Sequence, residues 1–306
     1  MKGLDLSRRY YEAYGKEMLA QFPQLKEEYA AGLVGRGSEC FGFDDEISAD
    51  HDYGPSFCVW LRRELYVQYG KAVQEAYDKM PADFLGVPGR IYEETGKGRV
   101  GVLCLEDFYY GLLGTDHVPK TNLEWLRLQD EYLATATNGA VFEDRSGFFS
   151  RIREGLLSYY PEDVRRKKIV ARMAKMSRAG QYNYARAMRR GERVAAELFL
   201  CEFIRESIQL VYLLNRRYAP FDKWSHRGMR ELSTCSEIGD MIALFYQVEK
   251  TEDRVLIIEA ICNIIVQELN AQGLSELEDN FLQNHLQTVT DKIEDAAIRK
   301  MQFLEG

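Results

Sequence analysis

One change of pattern constrains this chain more than any other. Short strand-like runs are confined to its first part, whereas from about Leu123 to Phe303 apolar residues recur at helical spacing with almost no strand signal. A helical period sustained over that length cannot be folded into a sheet. The change falls near residues 115–150, and the expected fold class is α+β. A small domain of mixed sheet and helices over residues 1–120 would be followed by an all-α bundle over residues 121–306. The 306 residues are enough for two cores.

Within the first part, Tyr11, Met18, Leu19, Phe22 and Leu25 predict helix from Leu6 to Leu33, leading into the turn Gly35-Arg36-Gly37-Ser38. A buried strand is expected at Phe57–Leu61 and a helix from Arg63 to Lys79. A strand pair is expected at Gly89–Glu94 and Arg99–Leu105, divided by Thr95-Gly96-Lys97-Gly98. In the second part, the run Arg165-Arg166-Lys167-Lys168 reads as a solvated helix face, and Arg193–Asn215 as a helix. Tyr218, Pro220, Lys223 and Trp224 read as a helix-ending turn, with Trp224 in the core.

Composition narrows the function classes. An apolar fraction of 46% with 12% aromatics is that of a folded domain, and no segment reaches the apolar length of a membrane span. Lys2 is followed by an amphipathic, charge-studded stretch rather than by the apolar region of a secretory signal, so a cytoplasmic location is expected. Six scattered cysteines, with no Cys-x-x-Cys pair, read as buried reduced thiols. A net charge of -8 disfavours a broad nucleic-acid footprint and favours a cationic or neutral small-molecule partner.

The chemistry concentrates in Gly35–Pro55, where glycines, carboxylates and one histidine lie together. On an extended strand Asp50 and Asp52 point to the same face, and two such carboxylates suit a hard cation such as magnesium with substrate phosphates. Gly37 permits close backbone approach, while its amide and the Ser38 hydroxyl can donate to phosphate oxygens. His51 would face away from the aspartates. Asp44, Glu46, Ser48 and Asp50 also alternate as in a calcium loop, but the central glycine and terminal glutamate of an EF-hand are missing. His117, His226 and His285 are isolated, so nucleophilic hydrolysis gains no support.

Glycine-serine followed about a dozen residues later by Asp-x-Asp resembles the signature of the nucleotidyltransferase superfamily. The segment Gly37–Pro55, with Phe108–Gly114, Tyr160–Val164 and Arg216–Trp224, resembles the bacterial family called domain of unknown function 4037. The resemblance implies a polymerase-beta-like nucleotidyltransferase domain and a helical substrate-binding domain similar to that of kanamycin nucleotidyltransferase. Gly37 and Ser38 would contact phosphates, and Asp50 and Asp52 would bind magnesium. The superfamily's third carboxylate falls at Gly101, with Glu93 or Glu94 as substitutes.

In the kanamycin enzyme's fold a helical-domain glutamate is the general base. That makes Glu206 and Glu192 candidates, although Glu202, Arg205, Glu206 and Gln209 also read as an exposed ion-paired stripe. Lys223 is a candidate phosphate contact. The expected activity is magnesium-dependent transfer of a nucleoside monophosphate from a nucleoside triphosphate, ATP favoured, to an acceptor. Two alternatives stand beside it: a catalytically weakened nucleotide-binding regulator, and a toxin- or antitoxin-type nucleotidyltransferase acting on protein or transfer RNA.

Overall fold

A computed structural model describes residues 1–49, 53–90 and 98–306. Asp50, His51 and Asp52 lie outside the described residues, as do Glu93 and Glu94. The fold is α+β. Its compact units are Met1–Val118 with Tyr132–Ser158, and Pro119–Glu131 with Tyr159–Gly306. Residues 132–158, beyond the sequence-based division at 120/121, therefore pack with the first unit.

The first unit is built on a four-stranded mixed sheet among the described residues, ordered β3-β2-β1-β4. Its strands are β1 (Ala30–Leu33), β2 (Cys58–Leu61), β3 (Gly101–Cys104) and β4 (Ala140–Glu143). β1 runs antiparallel to both β2 and β4, and β2 runs parallel to β3. Every residue of β2 is fully buried, so the apolar run has no polar face. Phe57, Val59 and Leu61 pack with Tyr10, Tyr11, Leu19, Val73 and Tyr77. Trp60 packs against Phe149 and Phe108, at ring-centroid distances of 4.2 and 5.5 Å. The first of these layers comes from helix α1 (Gly3–Tyr10), its continuation through a π turn at Tyr11–Gly15, and helix α2 (Arg63–Tyr77). Phe108 belongs to helix α3 (Leu105–Leu113).

Two differences from the sequence reading are instructive. The expected helix from Leu6 to Leu33 ends at Ala20, and Ala30–Leu33 forms the inner strand β1. A 3-10 turn at Pro23–Leu25, followed by left-handed Lys26 and Glu27, turns the chain into β1. Ala30 and Ala31 are good helix formers, but here pairing with β2 on one side and β4 on the other overrides that preference and leaves both completely buried. β4 was unexpected so late in the chain. It pairs with β1 through a register shift between Ala31 and Gly32, and it presents Glu143 to Tyr11 and Tyr29.

The second unit is helical throughout its described elements. Its core helices are α4 (Glu162–Met176), continued by a π turn at Ser177–Tyr184, then α5 (Arg193–Leu214), α6 (Asp222–Met229), α7 (Thr251–Ala271) and α8 (Leu282–Asp291). The basic run on α4 is not a solvated face: Arg165, Lys167 and Lys168 are buried. Their stems lie in the core while their charged ends cap carbonyls that packing would otherwise strand. Arg165 donates to Leu213 O, Lys167 to Met301 O and Gln302 O, and Lys168 to Leu128 O. Trp224 is buried, as expected. All six cysteines are free; five are buried, and Cys201 is exposed on α5. Among the described residues no helix is long and apolar enough to cross a membrane.

Candidate functional site

β1 delivers the chain into the turn Gly35–Ser38, and the short helix Ser38–Phe41 follows at once. Side chains distant in sequence hold this turn from two sides. Asn138 accepts from Gly35 N at 2.9 Å and donates to Gly35 O at 2.8 Å, fixing the turn's start. Beneath it, Glu39 and Arg90 form a buried ion pair at 2.5 Å. Gly37 has φ +134°, a left-handed value, and a Cβ there would lie 2.6 Å from Glu39 Oε2. Glycine is thus required twice over, by its dihedral and by the carboxylate folded back against it. The Ser38 side chain is partly exposed, and its hydroxyl has no hydrogen-bond partner among the described residues.

A hollow of about 220 Å³ opens beside the turn, lined by Val34, Gly35, Arg36, Arg99, Phe108 and Leu112. Ligand cavities usually run to roughly 300–1,000 Å³, so this one suits a phosphate group or one ring rather than a whole triphosphate. Phe108 opens one of the segments that carry the family resemblance, whereas Arg36 and Arg99 have no local mark as lining residues. Arg36 lies between the two glycines of the turn. Arg99 and Phe108 reach the hollow only through the parallel pairing of β3 with β2.

The described carboxylates around the turn already have partners. Asp44 accepts from Gly3 N at 2.8 Å and lies 3.6 Å from Lys2 Nζ, so it anchors the N-terminal helix. Glu39 is held by Arg90. Among the described residues no group of three or more histidine, cysteine, aspartate or glutamate side chains could hold a metal. Asp50 and Asp52, the expected magnesium ligands, lie outside the described residues; carboxylate oxygens are of the chemical type that magnesium takes. Burial pushes the Cys58 thiol up to about 12 and raises Cys40 well above its ordinary value. Neither is a thiolate nucleophile.

Gly101 opens β3 with φ +93°. Its amide donates to Phe57 O at 2.9 Å, and the Gln74 carboxamide accepts from Val102 N at 2.7 Å. A Cβ on Gly101 would lie 2.7 Å from Gln74 Oε1. The position expected for a third carboxylate is therefore closed to any side chain unless Gln74 moves.

The remaining candidates lie in the second unit. Glu206 on α5 is buried, not on an exposed stripe, and its carboxylate meets Arg172 Nη1 at 2.9 Å and Lys175 Nζ at 3.8 Å. Glu202 pairs with Arg178 at 2.6 Å. Glu192 occupies the exposed N-cap of α5 and makes no side-chain capping bond. Lys223 lies over the Trp224 ring, 5.0 Å from its centroid.

Residues 125–225 match the family described as Domain of unknown function (DUF4037). That stretch contains Tyr160–Val164 and Arg216–Trp224 but neither Phe108–Gly114 nor the glycine-serine turn. No curated protein matches the chain. Among solved structures the chain is similar to a nucleotidyltransferase-like protein from Exiguobacterium sibiricum 255-15, at 12% identity over 92% of this chain and 80% of that one. The TM-score is 0.38, too low to establish a shared fold.

Proposed function

We propose that this chain is a magnesium-dependent nucleotidyltransferase that moves a nucleoside monophosphate from a nucleoside triphosphate, ATP favoured, to a small-molecule acceptor. The observation that carries the reading is the Gly35–Ser38 turn at the end of β1. It is fixed by Asn138 and the Glu39–Arg90 pair, and it flanks an arginine-lined hollow. A preformed turn with a glycine at a left-handed dihedral and a neighbouring hydroxyl offers donors to phosphate at little reorganisation cost. Gly37 and Ser38 would grip the triphosphate, and Arg36 and Arg99 would offset its charge.

Asp50 and Asp52 would hold magnesium. The ion supplies charge neutralisation on the phosphates. An acceptor oxygen attacks the α-phosphorus, the bond to the β-phosphate bridging oxygen breaks, and pyrophosphate leaves. The acceptor proton passes to a base, for which Glu206 and Glu192 are the candidates in this chain. The oxygens of Glu206 are already engaged by Arg172 and Lys175, which weighs against it. Lys223 remains a phosphate-contact candidate whose ammonium is held over Trp224.

A second reading, a nucleotide-binding regulator with weakened catalysis, is favoured by Gly101. A carboxylate there would need Gln74 to give up its hydrogen bond with Val102 N and an L side chain to adopt a left-handed φ. One experiment separates the two readings. The protein is incubated with each labelled triphosphate, magnesium and a metabolite extract, and label transfer is followed by mass spectrometry. Transfer with pyrophosphate release supports the enzyme, and binding without transfer supports the regulator. Failure to bind any triphosphate overturns both.

A further inference from the structure

A polar cavity lies wholly in the second unit. It encloses about 670 Å³, within the usual range for metabolite sites. Its wall is a stripe of cations on α4: Lys168, Arg172 and Lys175 recur at four- and three-residue spacing and so share one helix face. Arg205 joins them from α5 and Arg127 from the segment before α4.

The carboxylates nearby engage these cations unequally. Lys168 is matched by Asp130 at 3.6 Å, and Arg205 by Asp222 at 3.2 Å on the exposed rim. Arg172 and Lys175, however, share the single carboxylate of Glu206. Arg172 takes the hydrogen bond, and Lys175 Nζ stays 3.8 Å away, with no hydrogen bond among the described residues. Burial lowers the Lys175 pKa from its ordinary value; Glu206 opposes the shift and Arg172 adds to it. Arg127 is exposed and makes no described ion pair. Around the same space Asp130, Glu131, Asp222 and Gln209 offer oxygens suited to hydroxyl donors.

A wall on which Lys175 Nζ keeps its hydrogen-bond donors unused among the described residues and Arg127 makes no described ion pair, facing a rim of acceptors, fits a ligand with one anionic group and several hydroxyls. We propose that this cavity binds an anionic sugar, a sugar phosphate or sugar acid, with its anion on Lys175 and Arg172 and its hydroxyls on the acidic rim. The net charge of -8 pointed toward a cationic or neutral partner, but a whole-chain sum says nothing about one helix face. The binding does not depend on the nucleotidyltransferase reading.

Calorimetric titration of the full chain at low salt, without nucleotide or magnesium, tests the site independently of transfer. The probes are glucose 6-phosphate, gluconate, inorganic phosphate and glucose. At least one of the two anionic sugars should bind at least tenfold more tightly than glucose and than inorganic phosphate; whichever binds identifies the anion. Lys175→Gln and the exposed Arg127→Gln should each weaken it, the former by tenfold or more, while Lys300→Gln on the surface should not. Arg127→Gln keeps the test valid should the Lys175 variant unfold. Absence of binding by both anionic sugars, or wild-type affinity in both folded variants, overturns the proposal.

Discussion

The Gln74 carboxamide occupies the space that a side chain on Gly101 would need, with Oε1 2.7 Å from the position of a Cβ there. The same oxygen accepts from Val102 N at 2.7 Å, so displacing it leaves a strand amide unpaired. Gly101→Asp therefore combines a left-handed strain with a lost hydrogen bond. We expect it to destabilise the protein by roughly 2–4 kcal/mol. Gly101→Ala should cost nearly as much, because the Cβ does most of the damage. Urea denaturation of both variants measures this. Wild-type stability in Gly101→Asp, with stronger magnesium binding, would mean that the position accommodates a third ligand after all.

Asp50→Asn and Asp52→Asn should each abolish most magnesium-dependent triphosphate binding while stability without metal holds or rises. Neutralising one of two neighbouring carboxylates relieves their repulsion. A structural aspartate would instead lose hydrogen-bond partners and stability. Calorimetry with and without magnesium, paired with thermal melting, reads both signs. Unchanged triphosphate binding in both variants together with a loss of stability would remove the metal site.

Glu143 supplies a pH-dependent contact at the end of β4. Burial opposes its ionisation, but hydrogen bonds from Tyr11 and Tyr29 and the charges of Arg145 and Lys16 outweigh burial and hold the carboxyl below its ordinary value of 4.5. A depressed folded pKa contributes stability that is fully present above the unfolded value. That contribution is lost as pH falls through the folded value. The wild type should therefore lose stability on acidification from about pH 4.5 downward, and Glu143→Gln should flatten that part of the profile. Melting curves between pH 3 and 7, on the order of one per half unit, compare the two; parallel profiles would dismiss the contact as a pH-linked one.

What the sequence made legible follows from how local each signal is. The run Phe57–Leu61 and the spacing in Arg63–Lys79 and Arg193–Asn215 carry their own periodicity, and β2, α2 and α5 lie where that periodicity put them. β1 and β4 were not legible, because Ala30–Leu33 becomes a strand by pairing with β2 and β4, and Ala140–Glu143 by pairing with β1 across more than a hundred residues. The same holds for the turn. Gly37 and Ser38 could be read directly, but Asn138 and Arg90, which hold the turn, carry no local mark. The basic run on α4 misled for the opposite reason. Four adjacent charges read as solvated until the carbonyls they cap are known, and those belong to residues as distant as Gln302.

Glu206 decides between two roles that predict different measurements. As an ion-pair partner it neutralises Arg172 and part of Lys175 in a largely buried setting. Glu206→Ala should then cost about 3 kcal/mol, because two cations are left without their counter-ion. Glu206→Gln should cost less, since an amide oxygen still accepts from Arg172. As a general base it would instead show wild-type stability in Glu206→Gln, intact triphosphate binding, and transfer reduced by roughly 10²–10⁴. We expect the first pattern. We also expect Glu206→Gln to bind glucose 6-phosphate more tightly, because the freed Arg172 and Lys175 charges meet the anion without competition. Urea denaturation, label transfer and sugar-phosphate titration on the same variant separate the roles. Unaltered stability with transfer abolished would return Glu206 to the chemistry.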